Sequence, residues 1–280
     1  MFYKPNLEDY KNKSKNFIIR KNTNPLISVI TISKNSEKTI QKTIDSLKNQ
    51  KLKNFEHIII DSNSTDRTIP IVKENLDFVD VLVSEKDKNP SDGINKGIAL
   101  SKGDLIFWLS SDDWIDDNIT SIIEQNYKSD NNISFFFGNM VMHNINGIRT
   151  INPKDNCVEN LLKGNPEFTY PAIVFNKKVF EEFGLFSTDI KINNDFEFIL
   201  RILKKKRNVK YVKEFNVNRL PGGMGEKSKF INLYETLIIN IFYKNLSFFT
   251  CKYILIKSFQ FSIISIKETI RFFLSKLKFK

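Results

Sequence analysis

The feature that most restricts this 280-residue chain is an alternation, over residues 26–110, of short apolar runs with amphipathic ones. LISVITI (26–32), FEHIIID (55–61), VDVLVSE (79–85) and DLIFWLS (104–110) read as strands. Each is short, rich in β-branched or aromatic residues, and bounded by polar turns. Between them lie helical patterns at 36–50, 64–76 and 92–101; in the first, Ile40, Ile44 and Leu47 recur at helical spacing and Ser36 is placed to cap. Strands apolar on both faces must be covered on both faces. The expected fold class is therefore α/β, a mainly parallel sheet with helices on either side.

In such sheets ligands bind beyond the carboxyl ends of the strands. The residues there are Ser33 to Asn35, Asp61 to Asn63, Glu85 to Asp87 and Ser110 to Asp113, and three of these four sets carry carboxylates. Carboxylates gathered on one edge repel unless something cationic joins them. The second half is less regular. It predicts a strand at 132–143, a strand then a helix within 169–184, a helix at 195–206, and a strand from 209 into a Gly-rich turn by 225. From 229 the tail reads as helix, with Phe259, Ile263, Ile266, Ile270, Phe273 and Leu277 on one stripe. This divides the chain into an extension (1–24), an α/β body (25–225) and a basic amphipathic tail (226–280).

Composition sets limits on function. With 41% hydrophobic and 27% charged residues the chain is globular, and two cysteines and two histidines cannot make a disulfide framework or a His-rich metal cage. The net charge of +11 is all at the ends: residues 1–24 carry a surplus of +4, residues 226–280 one of +7, and the body nets zero. A neutral body argues against nucleic acid as a partner. Basic flanks suit peripheral contact with an anionic membrane, or are simply solvated ends. The longest uncharged run in the tail, Ser258 to Ile266, is nine residues, too short to span a bilayer. The polar N-terminus has no secretory pattern, so the expected location is cytoplasmic, at the inner face of the membrane if the tail binds there.

Four places carry candidate chemistry. Asp112 and Asp113 follow an apolar strand, where a hard divalent cation would offset their charge; a helix cap is the alternative reading. Asp61 ends a strand and can accept from a base N–H or a ribose hydroxyl, or can close an Asx-turn. Asp92 opens a helix whose N-terminus, with Lys96, could meet a phosphate; it could equally be a cap. Asp195 begins a helix and is either a cap or a general base.

The order of ISVITISKN, HIIIDSNSTDRT, SDGINKG, GDLIFWLSSDDW, PAIVFNKKVFEEFGLF and NNDFEFILR resembles a family-2 glycosyltransferase with the GT-A fold, over roughly residues 26–225. The resemblance implies a Rossmann-like mixed, mainly parallel sheet with helices on both faces, to which the helical C-terminal tail read from the residues is added. It implies that Ser33 lies along the nucleoside, that Asp61 binds the base, and that Asp92 lines the nucleotide pocket. Ser110, Ser111 and Asp112 fall on the family's DxD position, whose last aspartate holds Mg²⁺ or Mn²⁺ across the diphosphate. Asp195 matches the catalytic base, and Gly222–Gly223 a glycine pair following it. Three residues depart from the pattern: Ser110 replaces the first aspartate of DxD, Lys34 a tyrosine, and Tyr170 a histidine. The implied activity is inverting, metal-dependent transfer of a hexosyl or N-acetylhexosaminyl group. The donor would be a nucleotide sugar, UDP-linked by default, and the acceptor a hydroxyl of a surface glycan or lipid-linked glycan. A nucleotidyltransferase is an alternative, disfavoured because SKNSEKT (33–39) lacks the glycines of a phosphate loop. A non-catalytic nucleotide-sugar-binding protein is another.

Overall fold

The structure, a computed structural model, describes residues 2–11, 24–222, 228–245 and 250–257. Its strands are β1 (Ile27–Ser33), β2 (Phe55–Asp61), β3 (Val81–Ser84), β4 (Leu105–Trp108), β5 (Asp113–Ile115), β6 (Phe135–Asn144), β7 (Gly147–Ile151), β8 (Ile173–Asn176) and β9 (Val209–Arg219). Its helices are α1 (Glu8–Lys11), α2 (Ile40–Lys48), α3 (Thr68–Glu74), α4 (Pro90–Leu100), α5 (Ile119–Ser129), α6 (Cys157–Leu162), α7 (Lys178–Phe183), α8 (Asn194–Leu203) and α9 (Lys229–Phe242), with a further helical stretch at 250–257.

One sheet runs in the order β3-β2-β1-β4-β8-β6-β9-β5, with β7 added to β6. The half formed by β3, β2, β1 and β4 is wholly parallel. β8 reverses direction on both its neighbours, β9 runs parallel to β6, and β5 and β7 are antiparallel additions. In the parallel half, Ser33 pairs with Asp61 and Asp61 with Ser84, so these strands end level and their turns share one edge. That levelling follows from chains buried on both faces, since every residue of β2 is buried.

Two packing features position the site. A Cβ on Gly97 would lie 2.4 Å from the Ile30 side chain, so glycine lets α4 settle against β1. Trp108 stacks on Phe175 at 5.5 Å, Phe180 stacks on Phe198 at 5.0 Å, and Phe186 meets Phe198 at 4.6 Å. This aromatic cluster buries the inner face of α8 against β4 and β8, which fixes the helix that begins with Asn194 and Asp195.

Several elements differ from the sequence reading. The helix expected to follow Asp112 and Asp113 starts only at Ile119, because residues 113–115 pair with β9 as β5. β7 is exposed along all but its last residue and has no amphipathic pattern to signal it. Residues 2–11, expected as an irregular arm, lie against the body: the Leu185 N–H donates to the Pro5 carbonyl at 2.9 Å, and Tyr10 is 3% exposed within the core. In the tail, α9 packs inward through Thr236, Ile239 and Asn240, and Thr250 is fully buried. Gly223 and the stripe from Phe259 to Leu277 lie outside the described residues.

Candidate active site

The turns at the carboxyl edge enclose a cleft of about 890 Å³. Ser33 to Thr39 line it after β1, Ser62 after β2, Asp87 to Pro90 after β3, and Ser110 to Asp112 after β4. Lys191, Ile192, Asn194, Asp195 and Arg219 close the far side. Its charged lining is mixed, with Asp87, Asp112 and Asp195 facing Lys34, Lys88, Lys191 and Arg219.

The turns are tied to each other. Asn35 takes a left-handed conformation (φ 50°), a conformation asparagine tolerates better than most residues, and its Oδ1 accepts from the Thr65 N–H at 3.0 Å. Ser36 and Ser111 share a 2.7 Å hydroxyl bond, and the Ser111 N–H donates to the Ile32 carbonyl at 3.3 Å. Ser111 is thereby held on the cleft floor. Asp112, next along, is partly exposed and makes no hydrogen bond or ion pair with the described residues.

Asp61 lies behind the wall. Fully buried, it accepts from Ser33 Oγ (3.0 Å), Ser84 Oγ (2.8 Å) and the Ser64 N–H (2.8 Å), joining the ends of β1, β2 and β3. This is the turn-closing arrangement rather than a carboxylate facing the cleft. Lys96 is also set back. Its Nζ contacts Asp87 at 2.7 Å, Glu85 at 2.8 Å and Asp92 at 3.6 Å, and its side chain is 5% exposed. Three carboxylates thus surround the Lys96 ammonium, and it does not line the cleft, so its placement lends no support to the expected phosphate contact. Asp92 does not line the cleft either. Tyr10 Oη donates to it at 2.6 Å and the Lys88 N–H at 3.0 Å. Nor does it cap α4, since Asn89 Oδ1 accepts from the Asp92 N–H at 3.1 Å and Pro90 begins the helix.

Asp195 stands in the first turn of α8 and lines both the cleft and a smaller cavity of about 300 Å³. One oxygen accepts from the Phe196 N–H at 2.7 Å. Burial pushes its carboxyl up to about 7; nearby backbone N–H groups and Arg219 oppose the rise and the charge of Glu235 adds to it. α8 is joined to α4 by Asn194 Nδ2 donating to Ser91 Oγ (2.8 Å), and the segment before α8 is joined to α4 by paired bonds between Asn95 and the Phe186 backbone (2.9 and 3.0 Å). The turns after β1 and β4 and the start of α8 thus share one rigid frame, bringing Ser33, Ser111, Asp112 and Asp195 to a single cleft.

Sequence reasoning missed Arg219. It pairs in register with Asp113 across β5 and β9, its Nε is 4.0 Å from Asp113 Oδ1, and it lines both cavities. Asp113 is raised to about 7, chiefly by burial, with Arg219 pulling the other way and Asp112 adding to the rise. The need for a cation on this edge was the available signal; nothing in the sequence said which one. Tyr253, from the 250–257 stretch, is also new to the site. It lines the smaller cavity with Phe168, Tyr170, Asn193 and Asn232, and burial raises its hydroxyl to about 12.

Among the described residues no three His, Cys, Asp or Glu side chains group to hold a metal. One carboxylate nonetheless suffices for Mg²⁺ or Mn²⁺ when substrate phosphates and water complete the shell. Asp112, a hard oxygen donor without a partner among the described residues, fits that role.

Comparison with known proteins agrees with this architecture. An uncharacterized glycosyltransferase of Haemophilus influenzae is 28% identical over 190 residues, covering 64% of this chain and 63% of that one. A UDP-Glc:alpha-D-GlcNAc-diphosphoundecaprenol beta-1,3-glucosyltransferase of Escherichia coli is 34% identical over 142 residues, 49% of this chain and 55% of its own. The chain thus spans less than two thirds of both relatives. In structure, the Pyrobaculum calidifontis mannosyltransferase PcManGT in complex with GDP-Man and Mn²⁺ superposes with a TM-score of 0.59 at 16% identity, covering 81% of this chain and 66% of that one. This likeness gives the fold, which is GT-A. Residues 28–184 match the family described as Glycosyl transferase family 2, more than half of the chain, and the chain belongs to that family.

Proposed function

We propose that the protein transfers a sugar from a nucleotide diphosphate donor, UDP-linked in the first instance, to a hydroxyl of a surface glycan or lipid-linked glycan, with inversion and with a divalent cation. The observation that carries this reading is that Asp112, a carboxylate with no partner among the described residues, and Asp195, a carboxyl poised near neutrality, line one cleft. The acceptor sits in the smaller cavity, whose aromatic rings and asparagine amides suit a sugar face and its hydroxyls. Asp195 takes the hydroxyl proton as the acceptor oxygen bonds to the anomeric carbon, and the bond from that carbon to the diphosphate breaks with its electron pair. Base catalysis of this kind contributes about 10²–10⁴-fold, and a value near 7 suits it. Lys34 and Arg219 on the cleft wall oppose the charge on the departing diphosphate. Asp112 would hold the Mg²⁺ or Mn²⁺, which when bound supplies Lewis-acid neutralisation of that charge, worth several kcal/mol. A single displacement inverts the center and requires no second carboxylate.

The basic surplus of residues 226–280 and the diphosphoundecaprenol acceptor in the Escherichia coli relative's name support action at the cytoplasmic face of a membrane. No helix among the described residues is long and apolar enough to cross one.

A thermal-shift screen of UDP, GDP, ADP and CDP, with and without Mn²⁺, tests the reading. Selective, metal-dependent stabilisation is expected, about 2.7 kcal/mol at a hundredfold excess over Kd. Asp112→Asn should remove the metal dependence. Stabilisation that ignores both the metal and Asp112 would overturn it.

A further inference from the structure

The turn 191–193 forms part of the partition between the two cavities, with Trp108, Ser110, Asp195 and Arg219: Lys191 and Ile192 line the cleft, and Ile192 and Asn193 the smaller cavity. α8, with Asp195 in its first turn, springs directly from this partition. The N-cap residue of α8, Asn193, makes no side-chain capping bond to the helix. Instead the turn is gripped from behind by Glu235 on α9, which is 9% exposed. Glu235 Oε1 accepts from the Lys191 N–H at 2.7 Å, and Oε2 from the Ile192 and Asn193 N–H groups at 2.9 and 3.0 Å. Three successive amides converging on one anion form a rigid nest. A second tie holds the same turn to α9, since Asn193 Nδ2 donates to the Asn232 carbonyl at 2.7 Å and to Thr236 Oγ1 at 3.1 Å.

We propose that Glu235 is a positioning residue for the transfer reaction: its carboxylate sets the 191–193 turn and thereby aims Asp195 at the acceptor hydroxyl. The proposal rests on Asp195 being the base. Glu235 itself touches neither cavity. Among the described residues, the charged and titratable groups that line the two cavities with Asp195 include Arg219 on β9, Asp113 on β5, Asp112 after β4, Lys34 after β1, Asp87 and Lys88 after β3, Tyr170 before β8, Tyr253 on the 250–257 stretch and Lys191 on the turn itself. Glu235 differs from them in combining backbone restraint with charge.

Two substitutions separate the roles. Glu235→Gln removes the charge and turns an amide donor toward one or more N–H groups. Glu235→Asp keeps the charge but shortens the reach by a methylene. The assay is UDP release from UDP-glucose, with water as acceptor and Mn²⁺ present, across pH 5.5–9, alongside UDP binding by calorimetry. Both variants should bind UDP within about twofold of the parent and lose up to about 100-fold in rate, since small misplacements of a reacting group are that costly. In Glu235→Gln the acid limb of the rate profile should also move to lower pH, while in Glu235→Asp it should stay near the parent's. A Glu235→Gln protein that melts earlier but keeps the parental rate and limb overturns the proposal. So does a Glu235→Asp protein of parental rate, which keeps the test open should the Gln variant not fold. Parental UDP release by Asp195→Asn would instead remove the base assignment on which the proposal stands.

Discussion

Replacing Asp195 by asparagine should abolish turnover and also make the ligand-free protein more stable in alkaline solution, both for the same reason. The carboxyl is raised from 3.8 to about 7 in the folded chain. Between those values the folded state binds a proton that the unfolded state has released, so this group's contribution to stability falls as pH rises through the window. Above pH 7 the penalty is complete. About 3 pH units at 1.36 kcal/mol each make it about 4 kcal/mol. Asparagine keeps an oxygen for the Phe196 N–H at the same place and carries no charge, so it escapes the penalty. Taking about 2.1 cal/mol/K of unfolding entropy per residue, the variant should melt roughly 7 °C above the parent at pH 8.5. The gap should close toward pH 4.5. Differential scanning fluorimetry of both proteins over that range, without nucleotide, reads the difference, and UDP release reads the lost turnover. A gap that does not change with pH, or a variant less stable than the parent at pH 8.5, would show that Asp195 carries no buried charge and would remove the reason for its basicity.

Two further outcomes follow from the surroundings. Lys96→Met should lower stability by about 3–5 kcal/mol in a urea melt, because it leaves Asp87, Glu85 and Asp92 without their buried cation; a change below about 1 kcal/mol would show that those acids do not depend on it. A chain ending at Lys257, which keeps Tyr253 in the smaller cavity, should lose sedimentation with phosphatidylglycerol vesicles that the full chain retains, since each basic residue near such a surface is worth about 1 kcal/mol; equal sedimentation would place any membrane contact elsewhere.

The parallel half of the fold was readable because strands buried on both faces leave continuous apolar runs: β2, β3 and β4 fall inside the expected segments, and β1 runs one residue beyond its own. The start of α4 was legible but misread. Asn89–Pro90 is a cap followed by a first-turn proline, and the reading had placed the start at Asp92. β5 was not legible at all, since three residues cannot show a period, and its pairing comes from β9, a hundred residues further on. The site divides in a similar way. Ser33, Ser111, Asp112 and Asp195 reached the cleft because strand ends and a helix start place them there by local rules. Asp61, Asp92 and Lys96 went behind its wall because their partners decided the matter, and a partner such as Tyr10 is chosen by tertiary packing.

The illegible part is also the part that we propose faces the acceptor. The smaller cavity is assembled from Met140, the 166–171 turn, Asn193, Arg219, Asn232 and Tyr253, segments with no shared period and little contact along the chain. Asp195, Arg219, Glu235 and Tyr253 all lie beyond residue 184, where the match to the family ends. A donor carries the same diphosphate whichever sugar is attached, so the wall that meets it can be built from regular βα turns. An acceptor has no such common feature, and recognising one requires individual side chains brought from distant segments. Asp195 joins the two requirements. Its helix is packed on the shared core by Phe196, Phe198 and Ile199, while the turn before it is held by α9 from the tail. Substitutions on α9 should therefore change which acceptor is used, and how fast, before they change how tightly UDP binds.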